Sequence, residues 1–320
     1  MKYLSFASFI LIFGYISFIR TEFIYSCKEK KTIALTFDDG PHKYTKELVD
    51  YFINEYPDDR ITFFQVGKFH YPFAINVREY QKAMRKAHHN GFQIASHTFE
   101  HKIPDDEYEF KKALTKMDDF IEEITGDRPR YFRAPKGHCN KECQDALEKW
   151  DYRLIQWDTD TNDWDLVTSG SPSQRVEDSI KFLKRRFAKE EDSYLILMHD
   201  TQNYTVSDIV PWIMKRSGMK EKGYKFVTVA ECLGDKKGMY RSGKTYFKKK
   251  ESNIPKNNTI NTVAVTTTVP INNNASATSS NYFAGNVEHK LSNDALSIKP
   301  MTIISCIYLT LMTILINIIN

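Results

Sequence analysis

Thr36-Phe37-Asp38-Asp39-Gly40-Pro41 is the stretch on which the reading of this chain turns. The apolar run Ile33-Ala34-Leu35 leads into Phe37, two adjacent carboxylates follow, and Gly40-Pro41 turns the chain. The pattern predicts a short buried strand whose C-terminal tip presents both acids. Two neighbouring carboxylates resist ionising together unless a cation neutralises them. His97 and His101 are candidate partners for such a cation. Spaced four apart, they would face one way on a helical turn, as ligands of one metal ion must.

Outward from this stretch, strand-like runs at 32–37, 61–66, 92–96, 130–133, 152–157, 194–198 and 224–227 alternate with helix-like runs. The latter fall at 45–56, 73–90, 107–125, 141–150, 173–187 and 208–217. Strand and helix alternating in this way predict an α/β fold, a parallel sheet with crossover helices closed or nearly closed into a barrel. Asp38 and Asp39, His97, Arg133, Asp160 and Asp163, and His199 each fall just after a predicted strand. In a parallel barrel those positions converge on the C-terminal face, where βα loops build active sites.

Five motifs occur in order: Thr36-Phe37-Asp38-Asp39-Gly40-Pro41, His97-Thr98-Phe99-Glu100-His101, Arg133-Ala134-Pro135-Lys136-Gly137, Asp160-Thr161-Asn162-Asp163-Trp164 and Leu197-Met198-His199-Asp200. In these the chain resembles the polysaccharide deacetylase family (carbohydrate esterase family 4, sharing the NodB homology domain), and within it the chitin deacetylases. The resemblance covers residues 30–235 and implies a distorted (β/α)7-8 barrel. It implies that Asp39, His97 and His101 hold a divalent metal, zinc or cobalt, with Asp38 as general base and Arg133 paired to it. His199 would be the acid that protonates the leaving amine, oriented by Asp163. Trp164 and Leu197 would wall the acetyl pocket, and the backbone N–H after Pro135, that of Lys136, would stabilise the oxyanion. Where the family usually has an aromatic residue, this chain has Lys136, which alters the groove and not the backbone donor.

The implied activity is removal of N-acetyl groups from N-acetylglucosamine units of a wall polymer, chitin before peptidoglycan. The alternatives are an O-acetyl polysaccharide esterase and a catalytically silent wall protein of the same fold. The second motif also spells the inverted zinc-protease pattern, His97-x-x-Glu100-His101, which requires a long helix. Here the pair follows a predicted strand and precedes Ile103-Pro104. His42, His70, His88, His89 and His138 read as surface residues, and Trp150, Trp157 and Trp212 as packing, with Trp212 able to reach the groove.

The 320 residues carry a net charge of +4 scattered along the chain. The longest basic run, Lys248-Lys249-Lys250, is a solvated linker, and no nucleic-acid partner is implied. Residues 1–22 read as a signal peptide and 27–235 as the catalytic domain. Residues 236–300 read as a disordered Lys/Asn/Ser/Thr-rich stalk, and 301–320 as the apolar signal for a glycosylphosphatidylinositol anchor or a transmembrane segment. Sequons at Asn203, Asn257 and Asn274 are candidate glycan sites. The expected protein is a monomer, secreted or held at the cell surface. With Cys306 in the tail, four cysteines remain, and an oxidising compartment would pair them. Of three connectivities we favour Cys139–Cys143, close in sequence, and Cys27–Cys232, which bracket the domain; a zinc site built from the four is the competitor.

Overall fold

Strand β1, Thr32–Asp38, is buried at every residue, so both of its faces pack against the core. That explains the unbroken apolar run, since a central parallel strand covered on both sides has no reason to alternate. In the computed structural model, which describes residues 23–244, β1 is the hub of an eight-stranded sheet.

Chain order after β1 is α1 (Thr45–Glu55), β2 (Thr62–Gln65), α2 (Arg78–His89), β3 (Gln93–Ser96) and α3 (Glu107–Thr125). Then come β4 (Tyr131–Phe132), α4 (Lys141–Lys149), β5 (Arg153–Leu154), β6 (Thr159–Asp160), α5 (Leu166–Ser169) and α6 (Pro172–Phe187). The last elements are β7 (Ser193–His199), α7 (Val210–Arg216), β8 (Lys225–Phe226) and α8 (Val229–Cys232). The sheet order is β5-β4-β3-β2-β1-β7-β6, with β8 also on β1, and all pairings between strands are parallel. This is the distorted barrel of parallel strands and surrounding helices expected from the sequence, with β5 and β6 as its two edges.

The register positions the chemistry. All seven residues of β1 pair with β7, ending in Asp38 opposite His199. His97 follows β3, Arg133 follows β4, and Asp160 ends β6, so the polar motifs gather at the C-terminal ends of the strands. The crossover helices pack through apolar stripes. On α3, Phe110, Leu114, Met117 and Ile121 are buried, a three-to-four-residue repeat. Its start is capped by the Asp106 side chain, which accepts from the Glu109 N–H, and Gly126 ends it at φ 82°.

Both favoured disulfides are present, Cys27–Cys232 across 205 residues and Cys139–Cys143 across 4. Five expectations need correction. The run at 152–157 is not one strand: β5 holds two residues of it, and β6 is separate. The helix-like run at 73–90 has a single 3-10 turn, Ala74–Asn76, before α2, and that at 208–217 starts earlier, as a π-helical turn at Thr205–Ile209. The stalk does not begin at 236, because Met239 and Tyr240 are buried in the core, where the Tyr240 hydroxyl accepts from the Ile94 N–H. His88 is no surface residue; it is 1% exposed and contacts Asp127 at 3.1 Å.

The expected signal peptide, most of the stalk with Asn257 and Asn274, and the apolar tail with Cys306 lie outside the described residues. Among the described residues, no helix is long and apolar enough to cross a membrane.

Candidate active site

The end of β1 turns sharply after its two acids. Asp39 takes φ 70°, and Gly40 follows because a Cβ there would meet the Asp200 carboxylate at 2.5 Å. The turn points Asp38 and Asp39 into a cavity of about 450 Å³. The same cavity is lined by His97, His101, Lys136, Trp157, Asp160, Trp164, Leu197 and His199, so all five motifs contribute to one site. A volume of this order is typical of ligand pockets.

Asp38 is fixed from behind. Arg133 Nη1 donates to Asp38 Oδ1 at 2.7 Å and to the Thr36 hydroxyl at 2.7 Å, while Nη2 donates to the Gln156 carbonyl at 2.9 Å. Arg133 is fully buried and its guanidinium lies over the Phe64 ring at 4.1 Å. A buried charge so placed needs a counter-charge, and Asp38 is that partner.

Asp39 Oδ1 lies 3.5 Å from His97 Nε2 and 3.3 Å from His101 Nε2. One ligand atom from each of the three residues lies within 4.8 Å of the others. Asp39 Oδ1 is also a buried oxygen without a hydrogen-bond partner in the structure, an arrangement that is costly unless something positive sits there. His97 Nδ1 is engaged by the Arg133 carbonyl at 2.7 Å, which leaves Nε2 facing Asp39. Burial pulls the His101 ring down to about 4, against the pull of Asp39, so the ring is neutral and able to ligate at neutral pH. For Asp39, burial acts upward, but the contact with His70 and the charges of His97, His199 and His101 outweigh it. Together they hold its carboxyl well below the usual range. Oxygen and nitrogen donors in this grouping fit a divalent metal ion. The helical turn expected at 97–101 is absent: Thr98 and His101 take φ 67° and 54°, and the loop brings the two rings to a centroid distance of 4.9 Å.

On the other wall, His199 Nδ1 and Asp163 Oδ1 are 2.7 Å apart. Asp163 is fully buried, and its Oδ2 accepts from the His199 backbone N–H and the Thr205 hydroxyl, each at 2.7 Å. Burial opposes a charged His199, but the Asp163 charge and hydrogen bond, helped by Asp39 and Asp38, push its pKa up to about 10. Leu197 is buried and Trp164 half exposed at the cavity. Pro135 and Lys136 sit in a single 3-10 turn, with Lys136 at φ 57°. Lys136 lines both this cavity and a neighbouring groove that contains Cys139 and Cys143.

Three contributors escaped the sequence reading. Trp157 lines the cavity, Thr205 braces Asp163 from outside every motif, and His70, taken for a surface residue, touches Asp39 at 3.6 Å. Trp212 packs on Phe187 as a stacked pair and does not line the cavity. No residue spacing marks these positions, because each contact is made only in the folded chain.

Residues 25–155 match the family model for polysaccharide deacetylases. A probable peptidoglycan-N-acetylglucosamine deacetylase of Arthroderma benhamiae is 33% identical over 218 residues, 66% of this chain and 46% of that protein. The chain thus spans about half the length of that relative. A chitin deacetylase of Colletotrichum lindemuthianum is 31% identical over 218 residues, 66% of this chain and 83% of that protein. The solved structure of the Colletotrichum lindemuthianum chitin deacetylase aligns with a TM-score of 0.60 at 29% identity, covering 67% of this chain and 92% of that one. Sequence and fold agree, and the chain belongs to the polysaccharide deacetylase family.

Proposed function

We propose that this protein is a metal-dependent hydrolase that removes N-acetyl groups from N-acetylglucosamine units of a wall polysaccharide, chitin first. The observation that supports it is one cavity lined by a metal-ligand group, a buried carboxylate and a histidine in contact with a buried aspartate. Asp39, His97 and His101 would hold the metal, which we take to be zinc. When bound, it supplies a Lewis acid for the acetyl carbonyl and lowers the pKa of water.

The chain's own residues do the rest. Asp38, held by Arg133, takes the proton from the attacking water, whose oxygen bonds to the acetyl carbon. Lys136 offers its backbone N–H to the oxygen that becomes negative. His199, kept protonated by Asp163, gives its proton to the amide nitrogen as the C–N bond breaks. Acetate and a free amine leave. Leu197 and Trp164 present apolar surface where the acetyl methyl group would lie.

Two disulfides favour an oxidising compartment and so support a secreted or cell-surface protein. Lys136 is the feature that favours a second reading, altered specificity toward another acetylated polymer, since a flexible cation stands at the groove.

The test is acetate release from N-acetylglucosamine oligomers by the purified chain, stripped with chelator and then titrated with zinc or cobalt. Metal-dependent release supports the proposal. Metal uptake without release would end the chitin reading and move the question to O-acetylated polymers.

A further inference from the structure

Residues 66–73, which follow β2, are tied to both segments that bear the metal ligands. The Val66 N–H donates to the Gly40 carbonyl at 2.7 Å, next to Asp39. The Gly67 and Lys68 N–H groups donate to the Phe99 carbonyl at 3.1 and 2.7 Å, between His97 and His101. Gly67 is required there, because a Cβ would lie 2.3 Å from the Phe99 ring. The loop is therefore built into the site and does not merely lie over it.

Its next two side chains meet two of the three ligands. The Phe69 ring packs on the His101 imidazole at a centroid distance of 4.1 Å and an interplanar angle of 34°. His70 Nε2 lies 3.6 Å from Asp39 Oδ2, the carboxylate oxygen opposite the one that faces His97 and His101. Phe69 and His70 also pack on each other at 4.3 Å, and His42, from the turn after Pro41, stands against His70 at 5.9 Å. At 3.6 Å the His70 contact is longer than a hydrogen bond and acts through the polarity of the ring and through packing. The third ligand, His97, is oriented by the Arg133 carbonyl.

We propose that Phe69 and His70 are positioning residues of the metal site, holding the His101 ring and the Asp39 carboxylate in their ligating orientations. The proposal rests on Asp39, His97 and His101 being the ligands. A carboxylate on a turn can rotate about its χ2 bond. His70 Nε2 beside Oδ2 at 3.6 Å occupies that side of the carboxylate and leaves Oδ1 as the ligating atom, and an aromatic ring against His101 removes its alternative rotamers. Neither residue belongs to the five motifs, so the device is a property of this chain's own loop.

The experiment uses the full chain, metal-stripped, with zinc affinity measured by competition against a chromophoric chelator. The cobalt form is followed by its visible absorption. His70→Ala should weaken zinc binding by about 10- to 100-fold, the usual effect of losing an outer contact on a metal ligand. His70→Gln, which keeps an N–H donor, should recover part of that loss. Phe69→Ala should change the cobalt spectrum. Melting of the metal-free protein should be the same for wild type and variants, which separates positioning from general stability. Should His70→Ala fail to fold, His70→Gln and Phe69→Ala bear the test. Wild-type affinity and an unchanged cobalt spectrum in all folded variants would overturn the proposal. A wild-type chain that takes up neither metal is a distinct result, and it would remove the ligand assignment along with the proposal.

Discussion

Asp38 and His199 are register partners, the last pair of the β1–β7 ladder. The two groups assigned opposite proton transfers thus stand side by side on adjacent strands, on the rigid part of the barrel. If Asp38 is the base, Asp38→Asn should lower acetate release by about 10²- to 10⁴-fold, the usual contribution of a positioned proton acceptor. Zinc uptake should persist, because Asp39, His97 and His101 remain. Chelator competition beside acetate release checks both halves, and wild-type turnover in Asp38→Asn would remove Asp38 from its role.

The His199–Asp163 contact makes stability depend on pH in the metal-free protein. The folded pKa of His199 is pushed up to about 10, above the ordinary histidine value of 6.5. Stability from this pair is therefore complete below the unfolded value and lost as pH rises through the folded one. Asp163→Asn removes the charge and costs stability at every pH through its lost backbone and Thr205 contacts. The melting gap between wild type and Asp163→Asn should be widest just below the ordinary histidine value of 6.5 and narrow as pH rises toward about 10. A gap constant across that window would show that His199 is not held as the imidazolium.

How much of this was legible in the sequence differs from element to element. β1 could be read because burial on both faces demands an unbroken apolar run, and the helix-like run at 107–125 coincides with α3. The split of 152–157 was hidden, since β5 and β6 hold two residues each and two residues have no period. His97 and His101 could be picked out as candidate ligands by residue type, but the helical turn expected to join them is not there. Thr98 and His101 take left-handed backbone that spacing does not encode. His70 left no trace, because its contact with Asp39 depends on where a loop from another strand comes to rest.

Gly40 offers a test of how tightly the acid-bearing turn is built. A methyl group there would press on the Asp200 carboxylate, which is fully buried, accepts a hydrogen bond from the Thr45 hydroxyl and has its pKa pushed up by burial to about 7. Gly40→Ala should destabilise the fold by about 1–3 kcal/mol, the range for overpacking. Asp200→Ala should relieve part of that cost, so the two substitutions should be non-additive in a denaturation cycle. Strict additivity would mean that the turn yields elsewhere.

The two disulfides should differ in what their loss costs. In the chain-entropy account a crosslink stabilises by limiting the unfolded chain, and the effect grows with the logarithm of the loop closed. Cys27–Cys232 closes a separation of 205 residues, and it ties the segment before β1 to α8, whose Cys232 carbonyl accepts from the Lys28 and Glu29 N–H groups. Cys139–Cys143 closes a separation of only 4, at the start of α4 beside the groove that Lys136 lines. Replacing both cysteines of the long link by alanine should cost about 5 kcal/mol, against about 2 kcal/mol for the short one. Denaturant unfolding under non-reducing conditions reads both values. The short link has a second expected effect, because it borders the turn that carries Lys136. Its loss should raise KM for N-acetylglucosamine oligomers more than it lowers kcat. Equal stability losses from the two pairs would show that native contacts at Cys139–Cys143, and not chain entropy, set its contribution.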